Sequence, residues 1–202
     1  MRFSENPSWE LHFGIPEELN FALTVRATCD LAVSGLPNLI GAALDDGFAL
    51  GATPTISDHA RTSQDWSEWW TVMSTYRSGQ LLRPTLVPLD PPDFETLTDP
   101  LRQACSSVWP QFRTWWGGPE GRKQRLTGAL QRLAEIPNQL AADHEHRLRR
   151  TCRPFRFDID ILAVNSMDIV EVNDAYAQIG APLLTDPMAF TSWFRAVLRK
   201  IG

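Results

Sequence analysis

The sequence is short of the residues that several common site chemistries need. It has two lysines, Lys123 and Lys200, and neither lies in a strand context where a lysine would bind nucleotide phosphates. A glycine-rich phosphate loop, a nucleophile elbow and a pair of histidines at zinc-binding spacing are all missing. These absences favour a binding or regulatory protein that uses no cofactor over an enzyme.

Cysteine and long apolar runs are scarce as well. The three cysteines, Cys29, Cys105 and Cys152, are widely spaced and form no CxxC pair, so they predict buried thiols in a reducing compartment. No apolar run reaches the length of about eighteen residues that a membrane helix needs. The first residues also lack the apolar segment of a signal peptide. We therefore expect a cytoplasmic protein with no membrane partner.

Positive charge is in deficit. A net charge of −5 and a pI near 5.4 argue against nucleic acid or an anionic membrane as the main partner, since both need a concentrated positive field. An apolar fraction of 43% with eight tryptophans is typical of a folded chain. At 202 residues, we expect a single domain over residues 1–202, with a helical insertion at about 60–150.

Two β-branched runs between Arg156 and Asn173 are separated by four polar or turn-forming residues, which predicts a hairpin. In the first run Arg156, Asp158 and Asp160 alternate with apolar residues and would share one face. In the second run Glu171 takes one of the two faces. The predicted hairpin therefore gathers these four charged side chains on one face, with Asn173 two residues beyond Glu171.

The string Arg-x-Asp followed by Glu-x-Asn, with Glu171 thirteen positions after Asp158, resembles the last strand pair of the ATP-grasp ligases. That resemblance implies that Asp158, Glu171 and Asn173 hold the Mg²⁺ ions of bound ATP, and that Arg156 contacts phosphate or substrate. The implied activity is a ligase that joins a carboxylate to an amine. The alternative is an amphipathic hairpin with one solvated, charged face.

The N-terminal region predicts a second hairpin. Apolar and polar residues alternate over residues 9–15 and again over 21–33, with Pro16-Glu17-Glu18 between them. A helix over residues 17–33 is the competing interpretation, and the alternation favours the strand. Together the two hairpins predict an α+β fold whose antiparallel sheet comes from the two ends of the chain. Residues 80–92 alternate loosely but carry several prolines, so they predict an edge strand.

Helices are predicted for the middle and the end of the chain. The expected ranges are about 36–47, 65–79, 98–109, 119–135, 138–150 and 187–201. Pro110 should kink the third of these helices or end it near Trp109, because proline lacks the backbone N–H and clashes with the preceding turn.

A stripe of Trp66, Trp69 and Trp70 marks the second predicted helix. Such a stripe either packs against the sheet or forms a recognition surface, since tryptophan is enriched at interface hot spots. Our leading expectation is a cytoplasmic protein-binding or regulatory protein without catalysis, with this stripe as the candidate interaction surface. The alternative is the ATP-grasp-like enzyme that depends on Mg²⁺ and ATP.

Overall fold

The computed structural model describes residues 9–44, 48, 54–78, 92–133, 135–149 and 154–201. Within these residues one sheet contains β1 (Trp9–Gly14), β2 (Phe155–Leu162), β3 (Ile169–Asn173) and β4 (Tyr176–Gly180). The helices are α1 (Glu17–Thr28), α2 (Asn38–Gly41), α3 (His59–Arg77), α4 (Asp99–Gly117), α5 (Arg122–Leu133), α6 (Ile136–Leu148) and α7 (Pro187–Ile201), with a 3-10 turn at Ala181–Thr185. The predicted α+β class is confirmed.

The sheet has the order β1-β2-β4-β3 and is mixed. β1 and β4 both run parallel to β2, whereas β3 is antiparallel to β4. The predicted hairpin between Arg156 and Asn173 is therefore wrong, because β4 lies between its two strands. The actual hairpin joins β3 to β4. All five residues of β4 are buried, so this strand is covered on both faces.

The predicted second N-terminal strand is also wrong, because residues 17–28 form helix α1. Two polar residues of this helix, Asn20 and Thr24, are buried together with the apolar ones. The Thr24 hydroxyl donates to the carbonyl of Asn20 at 2.8 Å, and Asn20 bonds to the sheet. A helix that is buried nearly all round, with polar residues in its core, has no amphipathic stripe. Its sequence consequently resembled a strand.

The predicted helices near α3, α5, α6 and α7 are confirmed to within a few residues at most of their ends. The helix predicted at 36–47 is described only as the short α2, and residues 45–47 lie outside the described part. The edge strand predicted at 80–92 falls almost wholly on residues that are likewise not described, as does Cys152. Cys29 and Cys105 are free and buried, as predicted. No helix of the described residues is long and apolar enough to cross a membrane.

Helix α4 runs through Pro110 to Gly117, so the predicted end near Trp109 is wrong. An internal proline costs a helix about 3 kcal/mol. Beyond the proline the helix buries Phe112, Trp115 and Trp116. Burial of a single large apolar side chain contributes about 1.5–3 kcal/mol, so three together outweigh the cost of the proline.

Helices α1, α3 and α4 meet around the ring of Phe21. Its centroid lies 5.1 Å from those of Trp109 and Phe112 and 6.3 Å from that of Trp69. Phe94 stacks on the same ring at 5.6 Å. This aromatic cluster fixes the positions of the three helices relative to one another.

Helix α7 covers the apolar face of the sheet. Phe190 lies 6.3 Å from Phe13 of β1, and Trp193 lies 6.3 Å from Phe157 of β2, measured between ring centroids. The opposite face of the sheet carries the polar residues of β1, β2 and β4, and it faces the C-terminal turn of α3.

The side chain of Asn20 takes the place of a strand where β1 ends. Its amide nitrogen donates to the carbonyl of Ile161 at 3.2 Å, and its amide oxygen accepts from the backbone N–H of Ala163 at 2.6 Å. The same nitrogen also donates to the carbonyl of Pro16 at 2.7 Å. One side chain thus ties α1 to β2 and satisfies two backbone groups that β1 does not reach.

We predict that Asn20→Ala lowers the free energy of unfolding by about 2–4 kcal/mol, because it leaves the carbonyl of Ile161 and the N–H of Ala163 unpaired in the interior. Urea unfolding followed by circular dichroism measures this loss. The matched control is Asn38→Ala, at an exposed asparagine, which should change stability by less than about 0.5 kcal/mol. Equal losses in the two variants would contradict the structural role of Asn20.

Candidate functional site

The polar face of the sheet is built by strand alternation on three neighbouring strands. In the register, His12 of β1 lies beside Asp158 of β2, and Asp158 lies beside Tyr176 of β4. One step further along, Asp160 lies beside Gln178. Because partners in register project to the same side of a sheet, these five side chains share one face.

A buried ion pair lies at the centre of this face. The guanidinium of Arg77, in the last turn of α3, donates from Nε and Nη2 to the two oxygens of Asp160 at 2.7 and 2.5 Å. The side chain of Asp160 is only 2% exposed. Its Oδ2 accepts a third hydrogen bond, from the Tyr176 hydroxyl at 2.8 Å. The carboxylate therefore accepts three hydrogen bonds from within the protein.

The contacts with Asp160 shift the pKa values of its two partners, Arg77 and Tyr176. The hydrogen bonds to Asp160 raise the pKa of Arg77 above its ordinary value, so this side chain stays charged. Burial, followed by the negative charge of Asp160, raises the pKa of the Tyr176 hydroxyl, so it stays protonated and acts as a donor. Arg77 and Tyr176 consequently both act as hydrogen-bond donors to Asp160 near neutral pH.

Hydrogen bonds extend the network back to α3. The Gln178 amide nitrogen donates to the Tyr176 hydroxyl at 2.9 Å and to the Ser74 hydroxyl at 3.0 Å. The Asn173 amide nitrogen donates to the carbonyl of Ser78 at 3.4 Å. The end of α3 is thereby bonded to three positions on the sheet, Asp160, Gln178 and Asn173.

Gly14 leaves the space that the ion pair occupies. A Cβ atom at this position would lie 2.3 Å from Oδ1 of Asp160 and 2.7 Å from Nη2 of Arg77. Both distances are shorter than atomic contacts allow. A glycine inside a strand is a known sign of close approach by another group, and it is the one sequence signal that pointed to this position.

A second, more exposed set of charges forms the rim. Arg156 donates from Nε and Nη2 to Asp158 at 3.1–3.3 Å, and the exposed fractions of the two side chains are 61% and 30%. Nδ1 of His12 lies 3.8 Å from Oδ1 of Asp158, and its Nε2 lies 3.2 Å from Oε2 of Glu10. The rim groups are thus paired but remain in contact with solvent.

The floor and the rim enclose a half-open cleft of about 480 Å³, which we call the polar-face cleft. The residues that give it chemical character are His12, Tyr76, Arg77, Arg156, Asp158 and Asp160. Two arginines and two aspartates balance one another among these residues. The cleft therefore offers hydrogen-bonding groups of both kinds without a large net charge.

The structure separates the residues that the ATP-grasp resemblance grouped. Arg156 and Asp158 line the cleft. Glu171 pairs in register with Ala177, which pairs with Ile159, so Glu171 lies on the apolar face, and the predicted sharing of a face with Asp158 is wrong. The reason is that β3 pairs with β4 and not with β2.

Contacts of Glu171 and Asn173 confirm that they do not meet Asp158. Glu171 accepts from Nε1 of Trp193 at 3.3 Å and from Nζ of Lys200 at 3.4 Å, both on α7. The Asn173 oxygen accepts from the backbone N–H of Ala175 at 2.8 Å within the β3–β4 turn. Across the described ranges, no group of three or more histidine, cysteine, aspartate or glutamate side chains is placed to hold a metal ion.

The tryptophan stripe of α3 lies in the core. Trp66, Trp69 and Trp70 are 0%, 9% and 3% exposed. Trp66 donates from Nε1 to the carbonyl of Ala22 on α1 at 2.8 Å and stacks on Trp70 at 5.5 Å. Of the two interpretations left open by the sequence, packing is the one that the structure shows, and these rings form no exposed surface.

We predict that Arg77→Met lowers the free energy of unfolding by about 3 kcal/mol, because it leaves the buried carboxylate of Asp160 without its cation. Arg156→Met removes the same charge from an exposed pair and should cost less than about 1 kcal/mol. Chemical unfolding of both variants makes the comparison. Adding Asp160→Asn to Arg77→Met should restore part of the stability, and a further loss in that double variant would contradict this account.

The buried floor of the cleft has a fixed geometry. The half-open rim keeps its charged groups accessible to solvent. Comparisons of the chain with protein-family models, with curated proteins and with solved structures found no match.

Proposed function

We propose that this protein is a binding protein that holds one small polar molecule in the polar-face cleft. The observation that carries the proposal is the Arg77–Asp160 pair, which fixes a guanidinium at the cleft floor from behind. The side chain of Arg77 is still 35% exposed, and its Nη1 makes no hydrogen bond to the described residues. A donor held in place before the ligand arrives gives affinity at low entropic cost.

The size and the lining of the cleft support a small ligand. Ligand pockets usually enclose about 300–1,000 Å³, and about 480 Å³ lies within that range. The paired charges of the lining favour a ligand that both donates and accepts hydrogen bonds. A polyanion would meet no net positive charge here, because each arginine is already paired with an aspartate.

Binding without catalysis fits the residue types. Among the described residues that line the cleft there is no serine, threonine, cysteine or lysine to act as a nucleophile. Both ring nitrogens of His12 lie near carboxylates, with Nε2 3.2 Å from Glu10 and Nδ1 3.8 Å from Asp158. These features favour binding without catalysis as the role of the cleft.

The other expectations remain predictions. A cytoplasmic location is still expected from the cysteine content. A protein partner also stays a prediction, although its candidate surface of Trp66, Trp69 and Trp70 is buried. The Mg²⁺–ATP alternative retains Arg156 and Asp158 in the cleft, whereas Glu171 would have to leave its partners on α7 to join them.

The test is a thermal-shift screen of small polar molecules, with Mg²⁺–ATP included, on the wild type and two variants. A ligand at 100 times its Kd adds about 2.7 kcal/mol, which should raise the Tm by about 5–10 °C. We expect Asp158→Asn, in the cleft, to abolish the shift and Glu171→Gln, on the opposite face, to retain it.

Each other outcome has a distinct meaning. A shift with Mg²⁺–ATP that is lost in both variants would establish the nucleotide alternative, since only a shared metal site couples Asp158 to Glu171. A ligand whose shift survives Asp158→Asn binds elsewhere and contradicts the proposal. A screen in which no small polar molecule raises the Tm would also count against it.

A further inference from the structure

The polar-face cleft carries information about the class of its ligand, and this inference rests on the proposed function. Among the described residues, the charged ones that line it are Arg77, Arg156, Asp158 and Asp160, whose charges sum to zero. A ligand with net charge would lose hydration on entering without an opposite net charge to replace it. A ligand of zero net charge has no such cost.

The four charges do not contribute equally. Asp160 accepts three hydrogen bonds from Arg77 and Tyr176 and is buried, so a ligand cannot use it. Arg77 retains the outward edge of its guanidinium. Asp158 is 30% exposed and is paired only with rim groups. The charged groups that a ligand can reach are therefore the fixed cation of Arg77 at the floor, the carboxylate of Asp158 beside it, and Arg156 at the rim.

The spacing of Arg77 and Asp158 follows from the strand. Asp158 and Asp160 lie two positions apart on β2, which places their side chains about 7 Å apart on the same face. The guanidinium of Arg77 is bonded to Asp160, so its separation from Asp158 is on the order of this 7 Å spacing.

An α-amino acid in its zwitterionic form matches that separation. Its ammonium nitrogen and carboxylate carbon are about 2.5 Å apart, the carboxylate oxygens extend about 1.2 Å further, and a hydrogen bond of about 2.9 Å is added at each end, so its two partners can lie up to about 9 Å apart. We infer that the polar-face cleft binds an amino acid or a similar small zwitterion, with its ammonium on Asp158 and its carboxylate on Arg77. Tyr76 lines the same space and would contact the ligand side chain.

The experiment is isothermal titration calorimetry of the full chain with the standard L-amino acids, with neutral sugars and amides as a comparison set. The tightest amino acid is then compared with its decarboxylated amine and with its N-acetyl derivative. Each analogue lacks one of the two charged ends. We expect each to bind about 10- to 100-fold more weakly, as for loss of a hydrogen bond to a charged group.

Two variants of the protein test the assignment, because they are expected to affect ligand affinity differently. Asp158→Asn keeps the shape and removes the charge that binds the ammonium, so it should weaken binding at least about 10-fold. Glu171→Gln makes the same change from carboxylate to amide on the opposite face of the sheet, so it should leave affinity unchanged. An equal loss in Glu171→Gln would mean that the effect of Asp158→Asn does not come from the cleft, which would overturn the assignment.

The outcomes separate this inference from the proposed function. If neutral sugars or amides bind in a way that depends on Asp158 and amino acids do not, the zwitterion inference is wrong and the proposed function stands. If no small polar molecule binds with a Kd below about 1 mM, both fail. If the amine or the N-acetyl derivative binds as well as the amino acid, the two-ended recognition is overturned.

Discussion

A carboxylate enclosed by protein has to be neutralised where it lies, and in this protein that requirement determines much of the architecture around Asp160. Removing a charge from water is costly unless an opposite charge and hydrogen bonds replace the lost hydration. Arg77 provides the charge, and the Tyr176 hydroxyl provides a third hydrogen bond. Helix α3 must therefore end over β2, and β1 must carry a glycine at position 14 so that the pair fits.

The same requirement explains why the polar face is a candidate site while the other face is not. On the apolar face, aromatic residues of α7 cover the sheet, and Glu171 is bonded to α7 at its margin. On the polar face, α3 reaches the sheet only through its last turn. Since one turn of helix cannot cover three strands, the sheet beside it remains accessible, and the rim residues His12, Arg156 and Asp158 are left half-exposed there.

The sequence predicts those parts of this arrangement that depend on neighbouring residues in the chain. It does not predict the parts that depend on contacts between distant segments. Alternation in β2 correctly placed Arg156, Asp158 and Asp160 on one face, because strand alternation is local. The position of Glu171 was wrong, since it depends on β4 entering between β2 and β3, and such a choice of partner has no local signature. Helix α1 was missed because Asn20 and Thr24 are buried, which removed the periodicity that identifies a helix. Arg77 appeared as an ordinary basic residue near a helix end, and only the tertiary structure reveals its partner.

The parallel pairing of β1 with β2 also bears on how the chain folds. Asn20 and Ala163, which hydrogen-bond across the end of that pair, are 143 positions apart. Contacts of such high sequence separation form late and slowly, because most of the chain must be ordered or confined before they can close. During synthesis β1 stays unpaired until β2 has emerged, while the helices between them can already form. Slow maturation, with an unpaired strand edge during that interval, is thus a consequence of the topology itself.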